Sequence, residues 1–149
     1  TLDIEKIELK LVYLKSVLTK AQRRYELYQE INEEEELETL FAALSKFIEE
    51  IIEISVVINN ELLKAKNEYS GTYHSSFKKV ISWYQLKSEE KQIFEQCALY
   101  TRVRNIVVHD YATVIEENTI NDFKEILHWY PQYLNSILKL ISNNIDKSL

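Results

Sequence analysis

An all-α fold is what this sequence predicts, and three observations predict it. The 149 residues include one glycine (Gly71) and one proline (Pro131). Sheets need turns, and turns draw on glycine and proline, so a chain this poor in both has few places to reverse strands. Nearly half of the residues are apolar, 46%, enough to bury a core under a surface supplied by 28% charged residues. The apolar residues also recur three and four apart over long stretches, the period of one helix face. The length suits one domain, so 1–149 is read as a single domain, an antiparallel bundle of four long helices plus one short helix.

The elements follow in order. Ile4, Ile7, Leu11, Leu14, Leu18, Ala21, Tyr25 and Tyr28 form one seam, which predicts a first helix over 3–29. Asn32 with Glu35 three residues later is a capping-box pair, and Glu33 to Glu36 suit a helix N-terminus. Leu37, Leu40, Leu44, Phe47, Ile51, Ile54, Ile58 and Leu62 carry the second helix to about 66. The polar stretch NEYSGTYHSS, 67–76, reads as a loop. Phe77, Val80, Ile81 and Tyr84 start a short third helix. Ser88, followed by Glu89 and Glu90, is the expected cap of a fourth, which carries Ile93, Phe94, Cys97 and Tyr100 and then runs into RNIVVHDY, 104–111. ATVIEEN, 112–118, is a connector. Thr119 with Asp122 caps the last helix, whose face is Ile120, Phe123, Leu127, Tyr130, Leu134, Ile137, Leu138 and Ile141. Pro131 lies inside that helix and is expected to kink or split it, because it lacks a donor and clashes one turn back.

Composition also narrows function. With one cysteine, Cys97, no intrachain disulfide forms, which with the lack of an apolar leader suggests the cytosol. The absence of methionine suggests a chain processed or trimmed ahead of Thr1. No apolar run nears the roughly 18 residues of a membrane span. The net charge of −6 argues against a broad lysine-covered nucleic-acid groove but leaves room for a local phosphate site. A single glycine rules out glycine-rich phosphate loops and nucleophile elbows, so nucleotide transfer would need a second chain. His74, His109 and His128 lack metal-ligand spacing, and no metal or cofactor is expected.

RNIVVHDY gathers demanding polar groups around an apolar triplet. RVRNIVV has the branched residues of a strand, but a lone strand has no partner in a helical chain, so it reads as the end of helix four. On a helix, Asn105 and His109 share a face, as do Arg104 and Tyr111. Arg104 and His109 stand about 140° apart around the axis, so one helix does not close both on a small group. Two copies meeting across a two-fold could, which points to a homodimer. The plain account is a quiet helix end: cationic residues there are favoured by the helix dipole, and Asp110 can pair with Arg102 or Arg104. Spacing alone favours that account.

The same residues resemble a known family. Arg104-Asn-Ile-Val-Val-His109-Asp-Tyr111 is similar to the Arg-x-x-x-x-His-x-Tyr motif of HepT-type toxins of the HEPN superfamily. IEEIIEIS, 48–55, resembles that family's second helix, with Glu53 in the place of an acidic residue. The resemblance implies a HEPN-like fold and a metal-independent endoribonuclease that dimerises and brings both Arg/His pairs into one cleft. It implies a partner, an MntA-like nucleotidyltransferase antitoxin, which silences the toxin by transferring AMP to the motif tyrosine. Carried over, the catalytic pair is Arg104 and His109, the modified residue is Tyr111, and Asn105 supports the site. The residue types suit the work. RNA supplies its own 2′-hydroxyl nucleophile. An imidazole can take or return a proton near neutrality. Arg104 offers a planar fork to the charge that builds on phosphorus. An AMP on Tyr111 would compete with RNA for Arg104 by charge and volume.

Other readings stay in view. The same fold could be a non-catalytic nucleotide- or substrate-binding subunit of a nucleotidyltransferase pair, or a structural adaptor. Arg102 is read as a surface cation, and Glu53 as either a site acid or the partner of an arginine. Lys20, Arg23 and Arg24 in TKAQRRYELY read as a solvated patch. Ser75 and Ser76 beside His74 read as a hydroxyl-rich loop.

Overall fold

The computed structural model describes residues 1–30, 34–109 and 116–148, with the side chains of 34–38, 40–41, 108–109, 116–118 and 145–148 left aside. The described residues form six helices and no strand: α1 (Ile4–Glu30), α2 (Glu34–Lys64), α3 (Tyr73–Trp83), α4 (Ser88–Leu99), α5 (Thr101–His109) and α6 (Glu116–Ser148). The all-α prediction holds. With α4 and α5 counted as one interrupted helix, there are five, as the periodicity requires.

Helices α1 and α2 pack along their length. Lys6 near the start of α1 meets Glu61 near the end of α2 at 2.8 Å, so the two run antiparallel. Their predicted seams are buried: Ile7, Leu11, Leu14, Leu18 and Ala21 from α1, and Leu44, Ile51, Ile54, Ile58 and Leu62 from α2. Asn32, Glu35, Leu37 and Leu40 lie outside the described residues or side chains. On α6 the buried face is wider than predicted. Ile126, Tyr133 and Leu140 join it, while Leu138 is 47% exposed. The centre is aromatic: Phe77 of α3, Phe94 of α4, and Tyr130 and Tyr133 of α6 meet with ring centroids between 5.1 and 6.3 Å apart. Edge-on pairs of this kind add to simple area burial.

Five features differ from the prediction. α3 starts at Tyr73, inside the stretch read as a loop. Thr72 accepts from the Ser75 N–H while Ser75 Oγ accepts from the Thr72 N–H, a complete capping box. Gly71 precedes it at φ +73°, and a Cβ there would sit 3.0 Å from Ser75 Oγ, so the only glycine stands where the backbone requires one. Ser88 does not cap α4: its φ is +54°, the N-cap position falls on Lys87, and no side chain caps it. Thr119 lies within the first turn of α6 and is buried. Pro131 does not split α6, which runs on to Ser148.

The fifth difference matters most for the site. The predicted fourth helix breaks at Tyr100. In an unbroken helix the carbonyls of Cys97 and Ala98 would accept from the N–H groups four residues on. Here the Tyr130 hydroxyl donates to the Cys97 carbonyl at 2.9 Å, and Thr101 Oγ1 donates to the Ala98 carbonyl at 2.8 Å. Tyr100 N–H closes a tighter three-residue turn onto Cys97. α5 therefore starts afresh and packs against α2 and α3.

Candidate functional site

Arg104 sits one turn into α5, between buried Val103 and Val107. Those valines seat the helix on the core and turn Arg104 toward α2 and α3. Its guanidinium has three neighbours. Nη2 donates to Glu53 Oε1 of α2 at 2.5 Å. The central carbon lies over the Tyr73 ring of α3, 4.9 Å from the centroid. Nη1 reaches Asn105 Oδ1 at 3.4 Å, a weak contact. Among the described residues, the buried Nε has no hydrogen-bond partner.

The guanidinium is thus held on one edge by a carboxylate and on one face by an aromatic ring. An arginine engaged in this way loses little further rotamer freedom when it takes an anion. Glu53 remains 38% exposed and Arg104 15%, so the pair is not sealed in the core and keeps an open side. The two readings of Glu53 resolve to the second: it is the arginine's partner. A carboxylate at that distance also balances much of the cation, so Arg104 works as an oriented donor as much as a free charge.

That open side faces a groove of about 590 Å³ between the first turn of α3 and the α4–α5 break. Arg102, Arg104, Asn105, Tyr73 and His74 line it over an apolar floor of Ala98 and Leu99. Arg102 is 65% exposed and lies 3.9 Å from Asp122, a loose pair. Burial pushes the Asp122 carboxyl above its usual range, against the opposing pull of Arg102 and with a smaller push from Glu125. Burial likewise raises the Tyr100 hydroxyl, with Glu125 and Asp122 adding to it.

The structure brings together Arg104 and Asn105 of the sequence-predicted residues. His109 is the last residue of α5, five on from Arg104, and its side chain lies outside the described part. Tyr111 lies outside the described residues altogether. Sequence reasoning missed Tyr73, because 67–76 was read as a loop. The Thr72-x-x-Ser75 spacing was the signal that could have placed it at the head of a helix. Among the described residues no group of histidines, cysteines and carboxylates is arranged to hold a metal ion. Among the same residues no helix is long and apolar enough to cross a membrane.

A helical bundle with an arginine clamped late in the chain, at the head of an Arg-x-x-x-x-His spacing, fits the HEPN type that the sequence resembles. Comparison with known proteins narrows this: the model of the family described as "Ribonuclease HepT-like" matches residues 17–137, and the chain belongs to that HepT-like family. Among solved structures, it resembles the cytosolic protein of unknown function YutE from Bacillus subtilis. The TM-score is 0.69 at 15% identity, over 96% of this chain and 93% of that one. At that identity the likeness speaks for the fold. No curated protein matches the sequence.

Proposed function

We propose that this chain is the toxin of a toxin–antitoxin pair: a single-domain, metal-independent endoribonuclease that works in the cytosol as a homodimer. A partner nucleotidyltransferase of the MntA kind silences it by modifying Tyr111. Membership of the HepT-like ribonuclease family supports the reading. The observation that carries it is the clamped Arg104, held by Glu53 and Tyr73 beside an open groove. A quiet helix end needs no such support.

In the proposed reaction the 2′-hydroxyl of RNA attacks the adjacent phosphorus as His109 takes its proton. The bond from phosphorus to the 5′-oxygen breaks, and a second imidazolium, from the partner copy, returns a proton to that oxygen. Arg104 donates to the non-bridging oxygens as charge builds on them, an oriented donor of the kind worth about 10²–10³ in rate. Silencing is a transfer in which the Tyr111 hydroxyl attacks the α-phosphorus of a nucleoside triphosphate bound by the partner enzyme and pyrophosphate leaves. The attached phosphate then repels RNA and competes for Arg104.

The test is induced expression in bacteria of wild type, Arg104→Ala and His109→Ala, with growth and total RNA followed together. Wild type should stop growth and cut RNA while both variants remain folded and harmless. Equal growth and intact RNA in all three would remove the nuclease reading in favour of a nucleotide-binding subunit or an adaptor. Co-expression with a cognate nucleotidyltransferase should add AMP mass to the peptide containing Tyr111. An unmodified Tyr111 in a fully neutralised toxin would mean that binding alone does the silencing.

A further inference from the structure

The groove beside Arg104 has features that one scissile phosphate does not use. Its lining includes His74 of α3, which is exposed and has no described hydrogen bond, and Arg102 of α5, whose one described ion pair is the loose contact with Asp122. Its floor is Ala98 and Leu99, and Leu99 is 51% exposed. A large leucine left open in a groove that two arginines also line is an odd surface for a chain of net charge −6. It suits a ligand that is apolar on one face and anionic at its edge. Thr72, Tyr73 and His74 are also the N-cap and first two residues of α3, so the positive end of that helix points the same way. The volume falls within the range of roughly 300–1,000 Å³ typical of small-molecule sites. A nucleotide meets that description: a base has an apolar face, and its phosphate carries the charge.

We propose that this groove is a subsite for the RNA nucleotide next to the one being cut. Its base rests on Leu99, and its phosphate lies between Arg102 and His74. The proposal rests on the nuclease reading above and deepens it, because it assigns two residues outside the Arg-x-x-x-x-His-x-Tyr motif to substrate binding. It also accounts for how a chain with an acidic balance would hold RNA: two arginines line one groove. Asp122 tempers Arg102, and a phosphate would displace that loose contact at little cost.

The test separates binding from cutting. A fluorescent single-stranded 2′-O-methyl oligoribonucleotide, whose blocked 2′ position cannot attack, is titrated onto the full-length wild type and onto His74→Ala, Arg102→Ala, Leu99→Glu and Arg23→Ala/Arg24→Ala. Circular dichroism checks that each variant folds. His74→Ala and Arg102→Ala should each weaken binding at least about fivefold, and Arg102→Ala should lower the slope of log affinity against log salt by about one. Leu99→Glu, which places a carboxylate on the floor, should weaken it most, and the α1 double variant should bind as wild type does. Binding that falls only in the α1 variant would overturn the proposal and move the RNA to α1. RNA cutting that persists in cells, with binding indifferent to His74 and Arg102, would remove the subsite and leave the nuclease. Binding that depends on both residues in a protein that cuts nothing would remove the nuclease and leave the groove.

Discussion

Two polar clusters bridge α2 and α3, and they differ in how completely they are satisfied. One is buried. Ser55, Asn59 and Ser76 are nearly fully enclosed, and so is Tyr133. The Tyr133 hydroxyl reaches Asn59 Oδ1 at 2.6 Å and the Ser55 carbonyl at 2.9 Å. Asn59 Nδ2 donates to Ser76 Oγ at 3.1 Å, and the Ser76 and Ser55 hydroxyls donate to the carbonyls of Tyr73 and Ile51. The cluster closes on itself and offers no opening. The other begins one helical turn or less away, at Glu53 on α2 and Tyr73 on α3. It holds Arg104 on one edge and one face and leaves Nε without a described partner beside a groove. The closed cluster locks three helices in register, since unmade bonds there would be costly. The open one leaves one buried donor, Arg104 Nε, without a partner among the described residues.

This contrast predicts opposite signatures on mutation. The largest effect should follow Arg104→Ala, with RNA cutting down at least about 10²-fold while the melting temperature barely moves. The half-exposed Glu53 is left to water, so folding should tolerate the loss. Arg104→Lys, which keeps charge but not the fork, should fall close to the alanine variant. A large drop in melting temperature would place Arg104 with the structural cluster instead. Next is Tyr133→Phe, which strips the hydroxyl from the closed network. It should cost about 2 kcal/mol in urea unfolding, with cutting unchanged at temperatures where the variant stays folded. Lost cutting in a fully folded Tyr133→Phe protein would blur the two clusters.

A third prediction concerns alkaline pH. Burial pushes the Tyr84 hydroxyl up to about 12, and it donates to the Leu62 carbonyl at 2.7 Å. The fully enclosed Tyr130 and Tyr133 are raised too, by burial first. An unfolded tyrosine ionises near 10 while folded Tyr84 keeps its proton to about 12. Between those values the unfolded state binds fewer protons, so stability should fall as pH rises from about 10 to 12. Tyr84 accounts for about 1 kcal/mol of that once solvent screening is allowed for, and Tyr84→Phe should flatten the slope without abolishing it. An unchanged slope in the variant would mean that Tyr84 ionises freely in the folded state. The smallest effect is expected at Tyr73. Removing the ring in Tyr73→Ala should lower cutting about fivefold, in line with one cation–π contact, and Tyr73→Phe should restore it. Failure of the phenylalanine to rescue would assign the role to the hydroxyl.

Much of the fold is legible in the sequence. The long seams of α1 and α2 announce themselves because a helix that buries one face repeats its apolar residues at the helical period. Scarcity of glycine and proline excludes the alternatives. Boundaries were less legible where a side chain competes for backbone groups. The break at Tyr100 depends on a hydroxyl from Tyr130, thirty residues on, capturing the Cys97 carbonyl. Periodicity within 88–109 holds no trace of it. The wider face of α6, with Tyr133 inside and Leu138 outside, likewise follows from which helices pack on it.

The candidate site divides in the same way. By itself the sequence determined the all-α class, the two long seams, and the Arg104–His109 spacing on which its resemblance to the family rests. These are local patterns or runs of residue types, and they survive without coordinates. The tertiary structure alone decided that Glu53, fifty-one residues before Arg104, is its partner, that Tyr73 lies beneath it, and that Leu99, Arg102 and His74 share one groove. Such meetings are set by how α5 restarts and packs on α2 and α3. A helix period records which residues share a face, but not which other helix that face will meet.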